Sequence, residues 1–240
     1  MVIVGGSFAQ GWAISDEETF AWKLQDRFPS LNVMNYGTGA YGTYQSLLVL
    51  ESELPLLTSP VIVLYGFILD HAMRNVGAVL WLEILSRFSR RGIVNVPCAT
   101  LHEDGALVRH PPEGYLALPF RESSAMVALV EEVYMKKRAG NRKAQMGPVT
   151  ERILLEMAAT SQRYGARFLV VQLDPRRATT NHWAEFFKVN HIQYLDCGLP
   201  YEGMIVPGEG HPNGDMNTRW VDCIADALGD QLGLQPASSG

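Results

Sequence analysis

The chain alternates short β-branched runs with longer stretches whose apolar residues recur every three or four positions. Val2-Ile3-Val4 is the first such run, composed like a buried strand, and Gly5-Gly6 end it. Ser15-Asp16-Glu17-Glu18 reads as a capping box that opens a helix, with Phe20, Leu24 and Phe28 on one face and Pro29 as its stop. Leu31 to Met34 predicts a second strand. A helix with Leu47, Leu50 and Leu54 aligned leads to a third strand, Val61 to Leu64. This βαβαβ order implies a parallel sheet with right-handed crossovers.

The pattern then loosens. Val79 to Phe88 predicts a helix, and Ala99 to Arg109 a hairpin turning at Glu103-Asp104-Gly105. Ser123 to Met135 predicts a helix with Met126, Val130 and Val133 inward. Lys136 to Lys143 carries five basic residues in eight, as a solvated loop or a contact for phosphates or a membrane surface. The region around 76–147 is read as an insertion at the sheet edge or over the site. The regular pattern resumes with a helix from Pro148 to Tyr164, whose stripe is Ile153, Leu154, Met157 and Ala158. Strands are expected at Phe168 to Leu173 and Ile192 to Leu195, with a short helix, Trp183 to Lys188, between them. A final helix, Thr218 to Leu232, places Trp220, Ile224, Leu228 and Leu232 four apart. With no repeat and no linker, a single domain over 1–240 is expected.

Composition narrows the function classes. Apolar residues make up 47% of 240, enough for a full core. A net charge of −5 argues against a general nucleic-acid binder. Cys98, Cys197 and Cys223 lack CxxC spacing, so free thiols are expected rather than a disulfide framework or a zinc site. The longest apolar run, Val61 to Leu69, is too short to span a bilayer. No signal peptide is visible. Loss of an upstream signal or anchor would leave the same start, so the compartment stays open between cytoplasmic and extracytoplasmic. The Ser-Ser-Gly end reads as a tail.

Chemistry-bearing residues fall in four blocks: Gly5-Gly6-Ser7, Asn35-Tyr36-Gly37-Thr38-Gly39-Ala40, Gly66-Phe67 with Asp70-His71, and Glu209-Gly210-His211-Pro212-Asn213. The first three follow predicted parallel strands, whose carboxyl edge is where open α/β sheets place ligands. His102, His110, His182 and His191 read as loop or surface residues. A metal set of Asp70, His71, His211 and Asp215 lacks the HxxxH or HExxH pairing of a metal helix.

In block order the chain resembles the SGNH hydrolases, also called the GDSL esterase/lipase family. The resemblance is strongest over Gly5 to Gly11, Asn35 to Gln45 and His211 to Ala227; 76–147 matches no block. It implies a flavodoxin-like three-layer α/β/α sandwich with a central parallel sheet. Ser7 matches the family's nucleophile, with Gly6 where aspartate is frequent, and His211 matches its base. The family's aspartate, three residues before the histidine, is Gly208 here, and Glu209 is the nearest carboxylate. Glu209 is therefore the expected orienting acid, with a backbone carbonyl as the alternative. The oxyanion hole implied by the resemblance comprises the N–H of Ser7, the N–H of Ala40 in place of a glycine, and Asp70 in place of an asparagine. An ionised aspartate donates nothing, so His71 or Asn75 is the other candidate donor. The implied function is hydrolysis of a short-acyl, acetylated-sugar or lipid-like ester, without a cofactor. O-acyl transfer at the same site and a non-catalytic carbohydrate- or partner-binding domain are the alternatives. No nucleic-acid partner is implied, and the oligomeric state is open.

Overall fold

A computed structural model describes residues 1–174 and 180–232; of Thr180, Asn181, Asp230, Gln231 and Leu232 it describes the backbone only. The expected tail and the side chain of Leu232 lie outside what is described. The chain forms two compact units. One is Met1–Tyr41, Ser46–Leu69 and Leu154–Gly240; the other is Gly42–Gln45 and Asp70–Ile153. The long segment of the second unit runs from 70 to 153, where the sequence placed an insertion around 76–147.

The first unit holds a five-stranded sheet made of β1 (Val2–Gly5), β2 (Met34–Asn35), β3 (Ile62–Phe67), β6 (Arg167–Gln172) and β7 (Gln193–Asp196). The strands are all parallel, in the order β2-β1-β3-β6-β7. With the second unit's hairpin set aside, this is the flavodoxin-like order, as the resemblance implied. β1 and β3 are buried along their whole length because both sheet faces are covered. On one face Ile3, Leu64 and Leu169 pack in a single cluster with Phe20 and Leu24 of α2 (Phe20–Arg27) and Trp220, Ile224 and Leu228 of α8 (Gly214–Leu232). The opposite register, Val2, Val4, Val63 and Tyr65, is equally buried.

Two boundary differences from the pattern bear on the site, beside the shift of the second strand to Met34–Asn35 from the expected Leu31 to Met34. A short helix, α1 (Ser7–Gln10), begins at Ser7 itself, and Gly11 stops it in the left-handed region at φ 80°. The Ser15–Glu18 box forms, with the Ser15 N–H donating to Glu18 Oε2 at 3.0 Å, but it opens a single 3₁₀ turn. Thr19 then caps α2 by accepting from the Trp22 N–H. A third difference concerns the cysteines. Cys197, just past β7, and Cys223, on α8, form a disulfide with Cα atoms 5.9 Å apart, where free thiols were expected.

The second unit contains α4 (His71–Asn75), α5 (Val79–Phe88) and an antiparallel hairpin of β4 (Val96–Leu101) and β5 (Leu107–Glu113). Two further helices cross between the units: α3 (Thr43–Glu53) and α6 (Ala125–Arg163), the latter continuous over 39 residues. The expected basic loop is therefore mid-helix. Arg138 and Arg142, one turn apart on α6, both pair with Glu113 of β5, at 2.5 and 3.1 Å. Burial raises the Glu113 carboxyl, but Arg142 and Arg138 outweigh it and hold the group below its ordinary value. Burial, and then Glu113, push the neighbouring Cys98 thiol up to about 11, so it stays protonated. Among the described residues no helix is long and apolar enough to cross a membrane.

Candidate active site

Ser7 stands where β1 turns into α1, at the carboxyl edge of the parallel sheet. The turn is tight because the backbone is crowded there. A Cβ on Gly5 would lie 2.8 Å from Ala9 Cβ and 2.9 Å from the Gly66 carbonyl. The serine is nearly buried, and its N–H heads a helix, where N–H groups lack an intrahelical partner.

His211 arrives from the other end of the chain. Val206 and His211 close a loop through a 2.7 Å backbone bond, and Ile205 bridges Pro212. Asn213 Oδ1 then accepts from the Asp215 and Met216 N–H groups and starts α8. This places His211 Nε2 3.1 Å from Ser7 Oγ and Nδ1 3.1 Å from the Glu209 main-chain oxygen. A carbonyl can only accept, so Nδ1 carries the proton and Nε2 is left as acceptor for the serine hydroxyl. That is the tautomer a general base requires.

Glu209 reaches the histidine through its carbonyl; its carboxylate lies elsewhere. Oε2 accepts from the Trp12 indole at 3.3 Å. Gly208 and Gly210 on either side adopt φ 81° and 68°, so the loop turns sharply here. An aspartate at 208 would have to sit in that left-handed region. The expected carboxylate orienter therefore gives way to the carbonyl alternative.

Two aromatic side chains absent from the sequence blocks frame the imidazole. Phe8 meets it edge-on at 5.9 Å and Trp12 lies at 6.1 Å. Phe8 also stacks on Trp220 of the core, which braces it. The usable signal was their spacing: the two aromatics lie four apart beside Ser7.

The second block is tied directly to α1. Asn35 Nδ2 donates to the Ala9 carbonyl at 2.9 Å, the Thr38 N–H to the Gly5 carbonyl at 3.1 Å, and the Gly39 N–H to Gln10 Oε1 at 2.5 Å. A Cβ on Gly37 would meet Ala9 and Gln10 backbone atoms at 2.5 Å, so only glycine permits this approach. Ala40 ends the block at φ 70°.

The third block divides after Leu69. Asp70, His71 and Asn75 belong to the second unit, with Asp70 at the head of α4. Asn75 is committed to structure there: Oδ1 accepts from the Tyr44 N–H, and Nδ2 donates to Thr43 Oγ1 and Thr150 Oγ1. Both of its amide protons are used, so it has none for an oxyanion. His71 is fully buried, and burial followed by the Arg74 charge holds its pKa well below the ordinary value. Among the described residues no three His, Cys, Asp or Glu side chains come together as a metal site. A cavity of about 660 Å³ lined by Ala158, Gln162, Arg167, His191 and Gln193 lies at the amino ends of β6 and β7, the edge of the sheet opposite Ser7.

Neither family models nor curated proteins give a match to this chain. Solved structures do. The crystal structure of TesA matches at a TM-score of 0.53 and 13% identity, covering 95% of this chain and 96% of that one. A member of the lipolytic G-D-S-L family from Veillonella parvula matches at 0.54 and 8%, covering 95% and 96%. The esterase EstA from Pseudoalteromonas sp. matches at 0.53 and 12%, covering 95% and 97%. At these identities the likeness establishes a shared α/β fold over nearly the whole chain, and chemistry has to be argued from the site.

Proposed function

We propose that this chain is a serine esterase that works through an acyl-enzyme on Ser7. The observation that carries the proposal is the His211 bridge, Nε2 to Ser7 Oγ and Nδ1 to a fixed carbonyl. Ser7 Oγ attacks the ester carbonyl carbon while its proton moves to His211 Nε2. The N–H groups of Ser7 and Ala40 hold the oxyanion of the tetrahedral intermediate. The imidazolium returns the proton to the leaving alkoxide. Water, deprotonated by the same nitrogen, then attacks the acyl carbon, and as the acyl–oxygen bond breaks the proton passes from His211 to Ser7 Oγ and frees the acid. The chemistry needs no metal or organic cofactor. A carbonyl orients the imidazole but carries no full charge to stabilise the imidazolium, so Ser7–His211 acts as a dyad.

The likeness to an esterase and to a G-D-S-L lipolytic protein supports ester hydrolysis. The structure of EstA inhibited by monoethylphosphonate makes a phosphonate the natural probe. The Cys197–Cys223 disulfide supports an oxidising compartment. Fluorophosphonate labelling followed by intact mass tests the proposal. Wild type should gain one adduct and Ser7→Ala none, and His211→Ala should slow labelling by about 10³-fold or more. An unlabelled wild type would remove the esterase reading and leave a binding domain on this fold.

A further inference from the structure

From Ala125 to Lys143 α6 is inside out, before its later turns bury Val149 and Ile153 in the usual way. At about 100° per residue, Glu131, Met135, Arg138 and Arg142 share one face of the helix and Met126, Val130, Val133 and Lys137 the opposite one. The charged face is the inner one. Glu131 is buried, accepts the Leu118 N–H at 2.8 Å and pairs with Arg121 at 3.2 Å. Arg138 and Arg142 point at Glu113. The apolar face is the outer one. Met126, Leu129, Val130, Val133 and Tyr134 are 48–76% exposed. The sequence pattern had placed Met126, Val130 and Val133 inward.

We propose that this outer face docks on an anionic lipid surface. Aliphatic side chains would enter the headgroup boundary, and Lys136, Lys137 and Lys143 would meet lipid phosphates. Two observations favour lipid. One is charge. The chain is acidic as a whole, yet five of its 20 Lys and Arg fall within Lys136 to Lys143. Arg138 and Arg142 turn in to Glu113, and the three lysines stay exposed at the end of the apolar stripe. An apolar stripe continued by cations is the pattern of helices that lie in a bilayer interface. The other is size. A stable protein interface takes about 20–30 residues a side, and the stripe offers five exposed side chains. That is too few for a second copy, while a peripheral lipid contact needs no more.

The test is co-sedimentation of the full chain with phosphatidylcholine vesicles, with and without about 30% phosphatidylglycerol. Binding to the anionic vesicles is expected, with much weaker binding to the neutral ones. Leu129→Ser with Val133→Ser should weaken it about tenfold. Lys136→Glu with Lys137→Glu should weaken it by at least about tenfold, and raised salt should mimic that loss. All four positions are exposed, so an unchanged melting temperature should certify the fold. No sedimentation of wild type overturns the proposal. So does binding that survives the serine variants, which would be unspecific charge attraction. A dimer in light scattering that the serine variants disperse would assign the face to a second copy instead. Ser7 labelling is read separately, so either proposal can fail alone.

Discussion

The two units solve the same problem in opposite ways. In the first, aliphatic strands are sealed between helices, and polar groups gather at the carboxyl edge of the sheet. There backbone atoms do most of the positioning: the Glu209 carbonyl on His211, and the Ala9 and Gly5 carbonyls on the second block. In the second, charged side chains lie inside and aliphatic ones outside along the first turns of α6, up to Lys143. An amphipathic period says that two faces differ, and partners decide which one is inside. Here Glu113 on β5 gives two arginines an inward partner, so the face that reads as core turns out.

The largest effect expected on this contrast comes from the disulfide. Cys197 and Cys223 close a loop with a sequence separation of 26 that contains Glu209 and His211. Opening it should cost about 3–4 kcal/mol by the loop-entropy estimate. Reduction, or Cys197→Ser with Cys223→Ser, should lower the melting temperature and slow Ser7 labelling together. The Glu113–Arg138–Arg142 cluster should be untouched, because its cysteine, Cys98, is a buried protonated thiol. Labelling at the wild-type rate after reduction would show that the loop's own backbone bonds and Asn213 hold the histidine without the disulfide.

Breaking the second unit should show the reverse. Glu113→Gln leaves Arg138 and Arg142 facing each other without a counter-charge. Removing one partner of a fully buried pair costs about 3–5 kcal/mol; these side chains are 12–25% exposed, so about 1–3 kcal/mol is expected. The pH dependence fixes the cause. The Glu113 carboxyl lies below its ordinary value in the fold, so its contribution is present above about pH 4.5 and fades as pH falls through the folded value. Denaturant unfolding should find that acid-sensitive part missing in Glu113→Gln, with Ser7 labelling unchanged at neutral pH.

What was legible in the chain follows the same division. Ser7 and His211 stood out because each sits at a forced joint, after a strand that stops at glycines and before a capped helix. That the sheet is parallel followed from the alternation, and its flavodoxin-like order from the resemblance alone. The role of Glu209 was not legible, because spacing cannot say whether a residue offers its side chain or its carbonyl. The disulfide was hidden because it depends on the end of β7 lying beside α8, a tertiary fact. α6 was read as two helices and a loop because the five basic residues of Lys136 to Lys143 read as a solvated stretch and Pro148 as a helix start. It continues because Arg138 and Arg142 must be one turn apart to share Glu113.

The smallest effect belongs to Ala40, where the first unit keeps an alanine in the left-handed region, φ 70°, at the place the sequence resemblance gives to a glycine. That conformation costs an L-residue about 1–2 kcal/mol. Glycine would relieve it, at an unfolded-state entropy cost of about 0.4–1 kcal/mol. Ala40→Gly should therefore raise stability by about 0–1.5 kcal/mol, and Ala40→Val should lower it, since a branched Cβ fits φ 70° worse. Both variants keep the N–H that the mechanism assigns to the oxyanion. If that N–H is what matters, Ala40→Gly should label at the wild-type rate while melting slightly higher. An Ala40→Gly variant that melts higher but labels more slowly would mean that the strain itself aims the N–H. The alanine would then be part of how this site works rather than a tolerated substitution.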